Sequence, residues 1–164
     1  MTNRQAPFLV ATLLLASLAP AAPPAGEEAA VLATVQKFFD SLAARDPALA
    51  REILVPEGRY FSVREDSGRV VIGGRTHREH IESLPRDQGR LLERMWEPKV
   101  LIAGRIAVAW TPYDFHRNGA FSHCGVDAFS LIKTDGGWKI AGVVYSVERT
   151  GCQSPLPPPA SGKR

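Results

Sequence analysis

The chain has 164 residues, a formal net charge of +3, 45% hydrophobic residues and 23% charged residues. This length and this ordinary composition suit one globular domain with a single core. The lysines and arginines are spread along the chain and form no basic stripe, so the small positive charge does not indicate a nucleic-acid-binding protein.

The first residues have the three parts of a secretory signal peptide. One cation, Arg4, precedes an apolar run over residues 8–18, and Ala19-Pro20-Ala21 offers an A-x-A cleavage pattern. A transmembrane anchor is the alternative, but the run is shorter than the roughly 20 apolar residues that span a bilayer. We therefore assign residues 1–25 to a signal peptide and tether, and we expect a periplasmic or secreted protein without a stable membrane anchor.

The next elements are predicted to be two helices. Apolar residues recur every three or four positions from Glu28 to Arg45, which is typical of an amphipathic helix. Asp46 and Pro47 then end this helix and begin a short one over residues 47–54, because aspartate caps a helix and proline suits its first position.

Two short strands and a third helix follow. The strands are expected at residues 59–64 and 70–72, around a turn at residues 66–68. Thr76 and Glu79 have the spacing of a capping box that opens the third helix.

The second half is predicted to form four long antiparallel strands. Asn118-Gly119 and Asp135-Gly136 are typical two-residue hairpin turns. The strands are expected at residues 91–102, 106–116, 121–133 and 138–148. The predicted architecture is α+β, with three N-terminal helices packed in one curved antiparallel sheet.

The folded domain is expected to cover residues 28–152. Residues 153–164, rich in proline, serine and glycine, cannot bury apolar surface and are predicted to be a disordered tail. Cys124 and Cys152 are the two cysteines of the chain, and an even pair in an oxidising compartment predicts a disulfide.

Four short segments carry a resemblance to a known family. They are Val35-Gln36-Lys37-Phe38-Phe39, Gly74-Arg75, residues 127–131 and the closing Gly137-Trp138-Lys139-Ile140. With the order of elements, they resemble the nuclear transport factor 2-like (NTF2-like) superfamily, which includes SnoaL-like proteins, ketosteroid isomerases and small bacterial members of unassigned function. The resemblance implies a cone-shaped α+β fold over residues 29–149. Because its members range from isomerases, cyclases and dehydratases to binding modules, it implies no single activity.

The two hairpin turns predict which residues share a face of the sheet. They place Asp114 opposite His123, Trp110 opposite Asp127, Asp127 opposite Val144 and His123 opposite Glu148. Alternation along the strands then gives one face, which we expect to line the cone cavity: Trp110, Asp114, His116, His123, Asp127, Phe129, Ile140 and Val144. The other face, which includes Tyr113, is expected to meet solvent or a second copy of the chain.

Asp127 is the leading candidate for chemistry. A carboxylate within an otherwise apolar strand either lies in a solvated pocket or has a raised pKa, which suits a general acid or base. The alternative is a structural aspartate whose oxygens are satisfied by neighbouring donors. His123, placed between Asp114 and Glu148, is the candidate proton shuttle, with a strand-end surface histidine as its alternative.

Five further residues are predicted to contact a ligand in the cone. They are aromatic side chains and one carboxylate, some of them on the expected cavity face: Tyr60, Trp96, Trp110, Asp114 and Phe129. Tyr60 is also an alternative partner for Asp127 in acid–base chemistry, because ketosteroid isomerases use a tyrosine in their oxyanion hole.

No metal site and no cofactor are expected. His77 and His80 lack the spacing of a zinc motif, so we interpret them as part of an exposed polar helix face. The Gly-x-Ser-x-Gly, P-loop and dinucleotide-binding motifs are also missing from the sequence, which leaves hydrolase, NTPase and nicotinamide-dependent activities without support.

Three functions remain open at this point. The first is an exported protein that binds a small, largely apolar ligand in its cone without catalysis. The second is a small acid–base enzyme of isomerase, cyclase or dehydratase type that uses Asp127 with His123 or Tyr60. The third is a module that forms a homodimer through its sheet.

Overall fold

The structure of the protein, a computed structural model, describes residues 25–159. The predicted signal peptide lies almost entirely outside the described residues, and its cleavage stays a prediction. Within residues 25–159, no helix is long and apolar enough to cross a membrane.

Three α-helices lie close to their predicted positions: α1 (Ala25–Ala44), α2 (Pro47–Ile53) and α3 (His77–Ser83). Asp46 caps α2, and its Oδ1 accepts two hydrogen bonds from backbone N–H groups of the first turn at 2.8 and 3.1 Å. The predicted capping box opens α3. Local side-chain chemistry therefore sets the starts of α2 and α3.

A seven-stranded sheet packs against the helices in the order β2-β1-β7-β6-β5-β3, and β4 also pairs with β5. The strands are β1 (Leu54–Asp66), β2 (Arg69–Thr76), β3 (Leu91–Met95), β4 (Lys99–Ala103), β5 (Ile106–Arg117), β6 (Ala120–Thr134) and β7 (Gly137–Val147). Strands β1 and β7 run parallel. The sheet is therefore mixed, and the prediction of a wholly antiparallel sheet is wrong because the last strand returns beside the first instead of ending at an edge.

The strand predicted at residues 91–102 is in fact two strands. Strand β3 pairs with the C-terminal half of β5, and β4 pairs with its N-terminal half. Between them Glu97 has a φ of 44°, and Pro98 has no backbone N–H to donate. These two residues break the strand, and the N–H of Trp96 donates to the carbonyl of Pro112 at 3.1 Å.

Two β-bulges shift the strand register away from the register that the hairpin turns predict. The first leaves Ser122 unpaired next to His123, which pairs with Phe115. The second leaves Ala141 unpaired in β7. A bulge adds one residue to one strand, so every later residue of that strand is displaced by one position relative to its expected partner.

The predicted partners of the two central aspartates are therefore wrong by one residue. Asp114 pairs with Cys124, and Asp127 pairs with Thr111 on one side and Tyr145 on the other. Because side chains alternate between faces, a shift of one residue exchanges the faces of two paired strands. Thr111 and Tyr145 therefore share the concave face with Asp127.

The hydrophobic core fills the concave side of the sheet beneath α1. The rings of Phe38 and Phe39 lie 5.7 and 6.0 Å from the ring of Phe129, centroid to centroid. Phe129 is 1% exposed and sits in this core, whereas it was predicted to contact a ligand. It lies on the expected face of the sheet, but α1 covers it.

The predicted disulfide between Cys124 and Cys152 is confirmed, with Cα atoms 5.9 Å apart. It anchors the C-terminal segment to the outer face of β6. Residues 153–159, where the predicted disordered tail begins, have no helix or strand, yet Nη1 of Arg94 donates to the carbonyl of Pro157 at 2.7 Å. The first residues of the tail therefore contact the domain.

Candidate functional site

A cavity of about 290 Å³ opens between the concave face of the sheet and helices α1 and α3. Its walls are partly apolar, with Phe38, Leu42 and Leu91 among them. Polar groups from five different elements reach it, among them Tyr60, His80, Glu93, Tyr113, His123 and Asp127. A mostly apolar cavity with a few convergent polar groups is typical of a small-molecule site.

The chemical centre of this cavity is a pair of carboxyl groups, Glu93 and Asp127. Their side chains are hydrogen-bonded to each other. The hydroxyl of Thr111 lies 3.5 Å from Oδ2 of Asp127 and donates to it at the limit of hydrogen-bonding distance. Asp127 is 3% exposed, and Glu93 is half-buried.

The pair holds a proton at neutral pH. Burial raises the pKa of Glu93 well above its ordinary value, and the charge of Asp127 raises it further. Burial also raises the pKa of Asp127, to about 8, although hydrogen bonds from Thr111 and Glu93 oppose this. A hydrogen bond between two carboxyl groups needs a proton on one of them, which agrees with the direction of both changes.

The sequence analysis missed Glu93. It lies on β3 and Asp127 on β6, with β5 between them, so the curvature of the sheet brings their side chains together. The strand itself carries a signal that could have identified Glu93. Side chains alternate along a strand, so Glu93 lies on the same face as Leu91, which is 5% exposed. A glutamate that shares a face with a buried leucine is a candidate for the cavity.

Two tyrosines border the carboxyl pair. The hydroxyl of Tyr113 donates to the carbonyl of Ser146 at 2.8 Å, and burial raises its pKa. Tyr113 was expected on the outer face, and the bulge at Ser122 explains the error. The hydroxyl of Tyr60 has no hydrogen-bond partner among the described residues, and burial raises its pKa as well. Tyr60 lines the cavity, so its role as a ligand contact stays a prediction.

The expectation of an exposed polar face on α3 is wrong. His77 and His80 are 0% and 1% exposed. Nδ1 of His77 lies 2.6 Å from the carbonyl of Val55, and the ring of His80 packs against Tyr60 at 4.9 Å, centroid to centroid. Helix α3 is only two turns long, and its residues at spacing three, together with Ile81, form the side that faces the core.

His80 is expected to make the fold sensitive to acid. Burial lowers its pKa to about 3, so the folded protein keeps it neutral while the unfolded chain takes up a proton below its ordinary pKa of 6.5. Stability from this group is therefore lost as the pH falls from 6.5 towards 3. His80→Phe should show a smaller loss of unfolding free energy between about pH 7 and about pH 5, measured by urea unfolding.

Both ring nitrogens of His80 lack partners within residues 25–159, so phenylalanine gives up no hydrogen bond there. At neutral pH the variant should stay within about 1 kcal/mol of the wild type, because the cavity gives room for a slightly larger ring. An acid-induced loss equal to that of the wild type would show that His80 does not cause it.

His123 does not lie between two carboxylates as predicted. It lies on the concave face, where it was expected, but the bulge pairs it with Phe115 instead of Asp114, and its ring stacks on Phe115 at 4.9 Å. Its Nδ1 lies 3.0 Å from the hydroxyl of Ser122. Burial, with the charge of Arg149, lowers its pKa, so it is a neutral imidazole at the wall of the cavity.

Asp114 and His116 lie on the outer side of the sheet, and the prediction that they line the cavity is wrong. Both Asp114 carboxylate oxygens accept hydrogen bonds from Arg94, at 2.8 and 2.5 Å. Nε2 of His116 lies 3.4 Å from Asp114 Oδ1. Burial alone raises the pKa of Asp114, but hydrogen bonds from Arg94 and Ser154, together with the charges of Arg94 and His116, outweigh it and hold the pKa below its ordinary value. This cluster is an ion pair beneath the anchored C-terminal segment.

The two predicted tryptophan contacts are also placed elsewhere. Trp110 is 51% exposed on the outer face of β5, because the register shift moves Thr111 to the concave side instead. Trp96 lies at the break between β3 and β4 and does not reach the cavity. Val144, also expected in the cavity, is 49% exposed on the outer face.

Three further charged side chains line the cavity: Arg75, Arg117 and Asp87. The guanidinium of Arg75 sits 5.7 Å from the centre of the Tyr60 ring. Within residues 25–159, no group of three or more histidine, cysteine, aspartate or glutamate side chains is arranged to hold a metal ion.

These features, a curved mixed sheet with three helices against its concave side and a cavity between them, define an NTF2-like cone protein. Residues 26–146 match the family described as "Putative lumazine-binding". The chain therefore belongs to this family, within the NTF2-like superfamily that the sequence predicts. No curated protein matches the sequence.

Solved structures show the same fold. An NTF2-like superfamily protein of Salmonella enterica has a TM-score of 0.61 at 17% identity, covering 77% of this chain and 94% of that one. A protein of unknown function from Nostoc punctiforme, described as having a cystatin-like fold, has a TM-score of 0.62 at 10% identity, with 77% and 95% covered. A "putative ketosteroid isomerase" of Shewanella frigidimarina has a TM-score of 0.54 at 23% identity, with 74% and 98% covered. At these identities the likeness concerns the fold alone.

Proposed function

We propose that this protein binds a small, largely apolar molecule in the cone cavity. The observation that carries the proposal is the cavity of about 290 Å³ with apolar walls and a proton-holding carboxyl pair at its centre. Carboxyl groups with raised pKa values that line a cavity are common features of binding and catalytic sites. The family description, "Putative lumazine-binding", supports a small-molecule ligand.

Binding in the cavity is tested by two neighbouring substitutions on β7. Val143 is 3% exposed and lines the cavity, whereas Val144 is 49% exposed on the outer face. The apolar probe N-phenylnaphthylamine should gain fluorescence with the wild type and with Val144→Phe. Val143→Phe fills part of the cavity and should weaken binding by about tenfold or more, a loss of about 1.4 kcal/mol. No binding to the wild type, or equal binding to both variants, would contradict the proposal.

A second candidate is an acid–base enzyme, which the carboxyl pair specifically favours. Asp127 is the residue proposed at the sequence level, but its partner in the cavity is Glu93 rather than His123 or Tyr60. A carboxyl group whose pKa lies near neutrality suits proton transfer. Uptake of deuterium from solvent into a small cyclic ketone, lost in Asp127→Asn, would support this activity, and no uptake above the buffer rate would count against it.

We also propose that two copies associate through the outer face of the sheet. The sequence analysis expected this contact on the face that includes Tyr113. Because Tyr113 is 1% exposed on the concave side, the outer face is the one that carries Trp110. It exposes a run of apolar side chains: Leu101, Ile106, Val108, Trp110, Ile132 and Val144. Trp110→Lys should convert a dimer to a monomer in sedimentation experiments, whereas Val70→Lys near the β1–β2 turn should not. A monomeric wild type at micromolar concentration would contradict a dimer.

Export is proposed on two supports: the signal-peptide pattern of residues 1–25 and the disulfide between Cys124 and Cys152. Structural disulfides persist in oxidising compartments. The N-terminal sequence of the protein recovered from the periplasm or medium should begin just after Ala21, and recovery of the intact chain from the cytoplasm would contradict export.

A further inference from the structure

We propose that the C-terminal strap, defined as residues 152–159, holds one wall of the cavity in place, so that ligand binding depends on the disulfide between Cys124 and Cys152. This inference rests on the proposed function, because it concerns the regulation of the same cavity. The oxidised protein has a fixed cavity wall, and reduction of the disulfide loosens that wall and weakens binding.

Three paired residues form one row across the outer face of the sheet. Asp114 on β5 pairs with Arg94 on β3 and with Cys124 on β6. Asp114 and Cys124 are 1% and 6% exposed, although they lie on the outer face. We call these three residues the outer row, and their burial indicates that a further segment covers them.

The strap is this covering segment, and it crosses the three strands along the outer row. It begins at β6, where Cys152 forms the disulfide. The hydroxyl of Ser154 then donates a hydrogen bond to the aspartate on β5. The carbonyl of Pro157 accepts a hydrogen bond from Nη1 of the arginine on β3 at 2.7 Å. One covalent bond and two hydrogen bonds therefore connect β6, β5 and β3 on the outer side.

Each residue of the outer row is a chain neighbour of a residue that lines the cavity. Side chains alternate between the two faces of a sheet, so the neighbours of the row point inward. These neighbours are Glu93 on β3, Phe115 on β5 and His123 on β6, and all three line the cavity. They also form one row, since Phe115 pairs with the other two residues. A displacement of the outer row therefore moves a wall of the cavity.

Strand β3 is the part of this wall that depends most on the strap. It has five residues, and within residues 25–159 it pairs with β5 alone. A short edge strand opens more easily than a central strand. Arg94 joins β3 to the strap, and the preceding residue, Glu93, is hydrogen-bonded to Asp127 of β6 on the inner side. Loosening of β3 therefore separates Glu93 from Asp127 and alters the cavity.

The disulfide keeps the strap ordered. Fixing an extended segment costs conformational entropy, which two partly exposed hydrogen bonds do not offset alone, and a cross-link reduces this cost. Cys152 is half-buried, so a small dithiol can reach its sulfur. Reduction by a dithiol takes two thiol–disulfide exchanges. The S–S bond breaks, each cysteine sulfur gains one proton and one electron, and the dithiol becomes a disulfide.

Hydrogen exchange of the full chain, followed by NMR with and without dithiothreitol, tests the strap. Reduction should speed the exchange of the β3 amides by about tenfold or more, while the amides of β1, on the far side of the sheet, keep their rates. Cys152→Ser should reproduce the reduced state and should not respond to dithiothreitol. Unchanged exchange in β3, or an equal rise in β1 and β3, would overturn the inference, because neither result shows a local effect of the strap.

Arg94→Lys tests the strap with the disulfide intact. Lysine keeps the positive charge beside Asp114 but lacks the planar group of donors that bonds the aspartate and the strap together. The β3 amides of this variant should therefore exchange faster than those of the oxidised wild type. Arg105→Lys is the matched control, because Arg105 also donates to a backbone carbonyl and to a carboxylate, both at 3.2 Å, and does not line the cavity. Equal β3 exchange in the two variants would contradict the role of the strap.

Binding of N-phenylnaphthylamine separates this inference from the proposed function. The oxidised wild type should bind the probe, and the reduced protein should bind it about fivefold or more weakly. Equal binding by the two forms would overturn the inference and leave the proposed function standing. Absence of binding by the oxidised wild type would refute the proposed function, and with it the dependence of binding on the disulfide.

Discussion

Asp127→Asn should raise the free energy of unfolding at about pH 8. The folded protein keeps a proton on Asp127 up to a pKa of about 8, whereas the unfolded chain releases it above the ordinary value of 3.8. The stabilisation that this proton provides is therefore complete below about pH 3.8, and it declines as the pH rises through about 8. Asparagine does not titrate and keeps a hydrogen bond to Glu93, so it removes this decline. A tenfold difference in proton affinity is worth about 1.4 kcal/mol, so the rise from 3.8 to about 8 sets an upper limit of about 6 kcal/mol, and we expect a gain of at least about 2 kcal/mol.

Asp114→Asn is the matched control, because Asp114 is another buried aspartate and its pKa is shifted in the opposite direction. The Arg94 hydrogen bonds hold the pKa of Asp114 below 3.8, so its stabilisation is present above that value and is lost only in acid. Asparagine leaves the Arg94 guanidinium without its charge partner, and we expect a loss of about 2–3 kcal/mol at neutral pH. Arg94 is 19% exposed, which lowers the loss below that of a fully buried pair.

Urea unfolding of the wild type and both variants at about pH 5, 7 and 9 measures the two effects. The Asp127→Asn and wild-type curves should separate as the pH rises, with the variant the more stable. A destabilised Asp127→Asn at every pH would mean that Asp127 is ionised and serves the structure, as the alternative interpretation of the sequence held.

Gly125→Ala should destabilise the protein by about 2–3 kcal/mol and alter the site at the same time. A Cβ on Gly125 would lie 2.2 Å from the carbonyl oxygen of Ser146 and 2.7 Å from its hydroxyl. That carbonyl accepts the hydrogen bond of Tyr113, and the hydroxyl accepts one from the N–H of Val126 at 3.0 Å. Moving Ser146 to relieve the clash therefore releases Tyr113 at the cavity wall.

Gly136→Ala is the control for Gly125→Ala. Gly136 lies in the β6–β7 turn, where a Cβ would meet only the Thr134 hydroxyl at 3.8 Å. Its thermal midpoint should stay close to that of the wild type. The Gly125→Ala midpoint should fall by several degrees, since 1 kcal/mol shifts a domain of this size by roughly 2–8 °C. Equal midpoints for the two variants would show that the sheet yields at Gly125 without cost.

The elements that the sequence predicts well are those fixed by local chemistry. Asp46 and the Thr76–Glu79 capping box set helix starts, and Asn118-Gly119 makes its turn with positive φ at both residues, 55° and 81°. Each signal involves residues a few positions apart, so it can be recognised in a single chain. The disulfide is equally predictable from the sequence, because a chain with two cysteines can form only one disulfide within itself.

The predictions that fail depend on the bulges. Ser122 and Ala141 are unpaired in strands whose sequences show no glycine or proline at those positions, so nothing in the alternation marks them. Two unmarked insertions were enough to put Trp110 and Asp114 on the wrong side of the sheet. Asp127 lies in the cavity as expected. The two bulges change its neighbours on β5 and β7 but leave its own side chain on the concave face.

The remaining failure concerns contacts between distant strands. Glu93 and Asp127 are brought together by sheet curvature across β5, and His80 becomes buried only when α3 packs beside β1. Neither contact has a local signature. The sequence therefore identifies Asp127 as a candidate site residue but does not identify Glu93 as its partner.

Carbon-13 NMR titration of the Glu93 and Asp127 carboxyl groups tests the central claim most directly. The account predicts that Asp127 keeps its proton at neutral pH and releases it at about pH 8, and that the pKa of Glu93 also lies well above its ordinary value. Glu93→Gln should leave a single titration that belongs to Asp127. Complete ionisation of both groups below about pH 5 would contradict the raised pKa values, and with them the proton-holding carboxyl pair that supports the proposed function.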